Sequence, residues 1–122
     1  MKKDESCYIV VKLSDSNEPI PFHDKERLKE RASGFWKIKL DTIGEHRDML
    51  VMFKGQVIAS FKIGNRITID RDASRLKFEL EEQDNNLIGK VLDYRTANPI
   101  SRLAKSEAEQ RIIEISERDY NG

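Results

Sequence analysis

Apolar and polar residues alternate along this chain in a way that predicts many short strands and little helix. Residues 8–13 (YIVVKL) form an unbroken, largely β-branched run between polar flanks, which predicts a strand buried on both faces. A polar connector carrying Asp15, Ser16, Asn17, Pro19 and Pro21 follows. Asp24 then has the chemistry to cap a short helix in which Leu28, Ala32 and Phe35 recur at helical spacing, with Gly34 as its terminator. Residues 35–40 (FWKIKL) set Trp36, Ile38 and Leu40 on one side and Lys37 and Lys39 on the other, the period of a half-buried strand.

The strongest local pattern spans residues 49–63, where two apolar runs flank Lys54-Gly55. A two-residue turn needs positive φ, which glycine supplies, so this reads as a hairpin. Lysine suits the first turn position less well than Asn or Asp, which leaves the turn type open. Val57, Ala59, Phe61 and Ile63 line one face of the second strand, with Ser60 and Lys62 opposite. Residues 66–70 (RITID) predict a further short strand, and Leu76, Phe78 and Leu80 alternate with Lys77, Glu79 and Glu81 in another.

After a turn cluster at residues 83–86 (QDNN), residues 87–92 form a short apolar segment that the Asn98-Pro99 pair closes. From Ser101 onward the period changes. Ser106 and Glu109 have capping-box spacing, and Ala108, Ile112 and Ile115 share a helical stripe, which predicts a C-terminal helix. The rival is a last strand over residues 111–116, since Ile112, Ile113 and Ile115 are also β-prone. The expected fold is α+β: one small strand-rich domain over residues 1–122, with a strongly curved antiparallel sheet or open barrel of five to six strands. One helix belongs to the N-terminal half and one to the C-terminus.

Composition narrows the partners. The 22 Lys and Arg residues balance 22 Asp and Glu, so no global field draws the protein to a polyanion, and any such site must be a local patch. A single cysteine, Cys7, rules out an internal disulfide, and no apolar leader follows Met1, so a cytoplasmic setting is expected, with no membrane partner. One Cys and two His cannot supply zinc spacing. Phosphate-loop, dinucleotide and serine-hydrolase signatures are missing, as is any Glu-x-Lys tripeptide of metal-dependent nucleases. The expectation is a binding protein without cofactor or metal, not an enzyme.

Few residues compete for a chemical role. His46, among Glu45, Arg47 and Asp48, is the one acid/base candidate, but a histidine in such a connector is ordinarily a solvated loop residue. His23 beside Asp24 belongs to the start of the helix, and Cys7 reads as an inert small residue ahead of a buried strand. Arg66, Arg71 and Arg75 could gather phosphate contacts on one rim, although Asp70 and Asp72 among them suggest an ordinary solvated surface. Trp36, the sole tryptophan, is on its apolar face more often a core residue than a stacking platform.

The order Trp36, the hairpin of residues 49–63, Arg75-Leu76-Lys77-Phe78, Leu87-Ile88-Gly89-Lys90 and Asn98-Pro99-Ile100 resembles a PUA-like domain of the kind found in phage and restriction-associated proteins. The resemblance covers about residues 30–100 and leaves out the first strand and the C-terminal segment. It implies a small, strongly curved open barrel with a pocket at its mouth that holds a base or nucleotide, including one in modified nucleic acid, by stacking and edge hydrogen bonds. Carried over, Trp36, Arg75, Phe78 and Asn98 are the pocket residues, with Lys90 near the rim. The aromatic content of 7% is thin for a full aromatic cage. A different expectation is a phage-type inhibitor or adaptor that binds a host or defence protein, or sequesters a nucleotide signal, through strand edges and the C-terminal helix. That helix is also a candidate surface for a homodimer.

Overall fold

The β-branched run near the N-terminus becomes an inner strand, because it carries apolar side chains on both faces and needs cover on both. In the computed structural model of the chain, which describes residues 6–16 and 18–113, this strand is β1 (Cys7–Leu13). It is followed by α1 (Lys25–Ser33), α2 (Leu40–Ile43), β2 (Asp48–Phe53), β3 (Gln56–Asp70) and β4 (Arg75–Glu82). The rest of the described chain is β5 (Val91–Leu92), β6 (Ile100–Ala104), α3 (Lys105–Gln110) and β7 (Ile112–Ile113).

All seven described strands join one sheet in the order β6-β1-β2-β3-β5-β7, with β4 paired to β3 off that path. The sheet is not closed into a barrel. β1 and β2 run parallel, Tyr8 opposite Asp48 through Leu13 opposite Phe53, and every other described pairing is antiparallel. The expected five to six antiparallel strands therefore become seven in a mixed sheet. The parallel pair requires a crossover, and residues 14–47 with α1 and α2 supply it.

Two apolar clusters cover the two faces. Ile9, Val11, Met49, Val51, Phe61, Ile63, Phe78 and Leu80 meet Leu28 and Ala32 of α1 and Ile43 of α2 on one side. Val10, Leu50, Met52, Val57, Leu87, Leu92 and Leu103 meet Ala108 of α3 on the other. The hairpin forms as expected, and positive φ at both Lys54 (49°) and Gly55 (85°) makes its turn the type I′ that matches strand twist. One detail departs from simple alternation. Val51 pairs Ala59 and Met52 pairs Val57, so Ile58 is an extra residue, and Val57 faces the second cluster while Ala59 and Phe61 face the first.

Residues 66–70 are not a separate strand but the far end of the 15-residue β3, whose register with β4 shifts between Ile63 and Ile67. Residues 35–40 are not a strand either. Only Trp36 bridges Leu76, Ile38 is half-buried, and Leu40 is exposed and opens α2. At the C-terminal end the helix stops at Gln110, and Ile112 and Ile113 pair with β5 instead. Ala108 and Ile112 thus share no helical face, and Ile115 lies outside the described residues. The strand β6, antiparallel to β1, stands where the helical period was expected to begin.

Candidate functional site

The end of α1 starts the site. Asp24 caps the helix by accepting from the Arg27 amide (3.2 Å), and Leu28 and Ala32 anchor it to the sheet. The chain then turns at Gly34, where φ is +122° and an added Cβ would sit 2.7 Å from the Leu76 carbonyl oxygen. Only glycine permits that approach. Trp36 is then locked by three hydrogen bonds. Its amide donates to Leu76 O (2.7 Å), its carbonyl accepts from the Leu76 amide (2.8 Å), and its indole Nε1 donates to Ala32 O (2.8 Å).

From this anchor residues 35–42 form one wall of an open cleft of about 900 Å³. The β3–β4 turn adds Ser74 and Arg75, and the approach to β6 adds Asn98, Pro99 and Arg102. The segment bearing Asn98 is held against β1, since the Lys12 amide donates to Pro99 O (2.8 Å) and the Lys12 ammonium to Thr96 O. Arg75 Nη1 points to Phe35 O (3.4 Å) and Arg102 Nη1 to Thr42 O (3.4 Å), so the two guanidinium groups bracket the wall. Phe35 is 42% exposed, with the Lys77 ammonium 5.8 Å from its ring centre.

Charge distinguishes this cleft. Among the described residues Lys37, Lys39, Arg75 and Arg102 line it and no carboxylate does. None of the four takes part in an ion pair among the described residues. A second cleft, of about 640 Å³, also has cations, but there Asp93 is in the lining and Lys54 faces Asp15 at 4.0 Å.

Of the five residues carried over by resemblance, Trp36, Arg75 and Asn98 line the basic cleft together. Phe78 does not: it is 2% exposed, packed in the first apolar cluster, as its alternation with Leu76 and Leu80 requires. Lys90 does not either. It lies in the turn before β5, its carbonyl accepting from the Val57 amide (2.9 Å), and is no part of the cleft lining. Arg66 and Arg71 are exposed but do not join Arg75 at the cleft. Phe35, Lys37, Lys39 and Arg102 were not expected there. The lysines were legible only as the polar side of an apolar alternation, and Arg102 carries no sequence signal of its own.

His46 is half-buried rather than solvated, and its Nδ1 accepts from the Cys7 amide (3.1 Å), which ties β1 to the start of β2. A separate polar cluster surrounds Asp48. Its Oδ2 takes the Lys105 ammonium at 2.5 Å and its Oδ1 accepts from Gln83 Nε2 (3.2 Å). Gln83 also reaches Ser60 Oγ (3.0 Å), and Lys105 lies 5.2 Å from the Tyr8 ring centre. Partial burial pushes the Asp48 carboxyl up, but the hydrogen bonds from Lys105 and Gln83 and the charges of Lys105 and Lys62 together hold it below the ordinary value of 3.8.

Among the described residues no cluster of three or more His, Cys, Asp or Glu is placed to hold a metal ion. No helix among them is long and apolar enough to cross a membrane. No family model, curated protein or solved structure matches this chain.

Proposed function

We propose that this protein is a non-enzymatic, cytoplasmic binding module and that the cleft beside Trp36, Arg75 and Asn98 takes a phosphate-bearing base, as nucleotide or as nucleic acid. The observation that carries the reading is the group of four side-chain cations lining one concavity, with no carboxylate in that lining among the described residues. In a chain of zero net charge, such a patch costs self-repulsion that an anionic ligand relieves. The aromatic surface of Phe35 and the half-buried Trp36 offer a π-face, and the Asn98 carboxamide, which has no hydrogen bond among the described residues, offers both a donor and an acceptor to a base edge. This is the ligand class that the PUA-like resemblance suggested, now carried by three of its five residues together with Phe35, Lys37, Lys39 and Arg102. Catalysis is disfavoured because His46, the sole acid/base candidate, has its Nδ1 engaged by the main chain of β1.

Trp36 is the only tryptophan, so its emission reports directly on the cleft. Titration of nucleotides and oligonucleotides into the protein should change that emission saturably, and Arg75→Glu should remove the response while leaving the circular dichroism spectrum intact. A flat emission signal with every nucleotide and strand would sink the reading.

A further inference from the structure

The proposal above leaves open whether the ligand is a free nucleotide or a strand, and the arrangement of the cations discriminates. Arg75 reaches the carbonyl of Phe35 and Arg102 that of Thr42, while Lys37 and Lys39 project between them from the same wall. The cations are strung along residues 35–42 rather than gathered at one point. With the extended part, up to Leu40, rising about 3.3 Å per residue and the helical part about 1.5 Å, the wall is at most about 20 Å long. A mononucleotide carries its charge on one phosphate or one compact phosphate chain, and that calls for donors that converge. A polynucleotide presents one charge per nucleotide along its length, and that calls for a row.

Resting on the reading of this cleft as a nucleotide-binding site, we infer that it takes a single-stranded run of about four nucleotides, one phosphate for each of the four cations that line it. Lys37, Lys39, Arg75 and Arg102 contact successive phosphates, and one base stacks on Phe35. A duplex fits this reading less well, because its bases are paired and stacked on one another and none is free to lie on the exposed Phe35 ring.

The test uses the full chain, Trp36 emission and fluorescence anisotropy, with four probes: oligothymidylate and oligouridylate of about 12 nucleotides, a length within the usual span of such grooves, a hairpin duplex, and thymidine monophosphate. The expected result is binding of one or both single strands, at least about 30-fold more tightly than the monophosphate or the duplex, with log K falling against log salt at a slope of about −3. The two single strands separate deoxyribose from ribose recognition, and binding of either supports the inference. Lys37→Ala and Lys39→Ala, both at exposed positions, should each make the slope shallower by about 0.7 without altering thermal stability. Equal affinity for thymidine monophosphate and the strands would overturn the inference while leaving the nucleotide reading in place. Equal affinity for the duplex would overturn it too, and no binding by any probe would remove both.

Discussion

At the N-terminal end of the parallel pair, Lys105 meets Asp48 at 2.5 Å, Gln83 and Ser60 complete the cluster, and each polar group has a partner within the fold. Along residues 35–42, Lys37 and Lys39 meet no carboxylate among the described residues, and Arg75 and Arg102 reach main-chain carbonyls there at 3.4 Å. The first cluster ties together β2, the β4–β5 connection and the start of α3, three stretches distant in sequence, so its charge serves the fold. The second lies on a segment already fixed by Gly34 and Trp36, so its charges are not needed to hold it. Charges that the fold does not use are the ones available to a ligand, and the contrast predicts that stability and binding can be removed separately.

The largest expected effect comes from the one position on which the cleft depends structurally. Gly34→Ala places a side chain at positive φ and 2.7 Å from a backbone oxygen that cannot rotate away, and should cost about 3 kcal/mol by urea denaturation. Because Trp36 is hydrogen-bonded to Leu76 immediately beyond, its emission should shift as well. Unchanged stability in this variant would show that the wall is not held as described, and would blur the distinction between the two regions.

Next in size is the double reversal Lys37→Glu with Arg75→Glu. Two exposed cations become anions in the cleft, and binding of a single strand should weaken by about 100-fold, or about 2.7 kcal/mol, while the melting temperature stays within about a degree. A drop in melting temperature with binding intact would reverse the roles assigned to the two clusters.

The parts of this arrangement that local patterns determine were legible in the sequence. β1 follows from five apolar residues within Tyr8–Leu13, the hairpin from Lys54-Gly55 between apolar runs, α1 from Asp24 and the Leu28–Ala32 spacing, and β4 from strict alternation. The pairings that local patterns leave free were not. Nothing in β1 or β2 states that they run parallel, and β6 buries only Ile100 on one face and Leu103 on the other, too little for a periodic signal. The site shows the same division. Alternation placed Phe78 inward with Leu76 and Leu80, and that burial, not the resemblance, decided its fate. Trp36, Arg75 and Asn98 converge because Trp36 bridges Leu76 beside Arg75 while Lys12 pins residues 96–99 to β1, contacts spanning many tens of residues that no spacing encodes.

A smaller effect is expected at the paired cluster. Asp48→Ala leaves a half-buried Lys105 and the Gln83 amide short of an acceptor and should destabilise the fold by about 1 kcal/mol, a few degrees in melting temperature, with strand binding unchanged. The figure is modest because both side chains keep roughly a third of their surface in water, where solvent screens the pair (31% and 36% exposed). A double-mutant cycle with Lys105→Met isolates the pair, and a coupling indistinguishable from zero would show that the cluster is incidental to the fold.

The smallest effect is a pH dependence that belongs to one cluster and not the other. Burial raises the Asp48 carboxyl, and the donors and charges of Lys105, Gln83 and Lys62 outweigh it, so the native carboxyl titrates below its unfolded value of 3.8. A group depressed in the native state stabilises the fold above its unfolded value, and that contribution is lost as pH falls through the lower native value. Melting temperatures measured from pH 5 downward should therefore decline more steeply in the wild type than in Asp48→Asn, which cannot titrate there. Lys37→Ala should follow the wild-type curve, since Lys37 lies in the cleft and makes no contact with the Asp48 cluster. Parallel curves for wild type and Asp48→Asn would mean that the Lys105 and Gln83 contacts do not favour the charged carboxylate, and the Asp48 cluster would then resemble the cleft in leaving its charge unused by the fold.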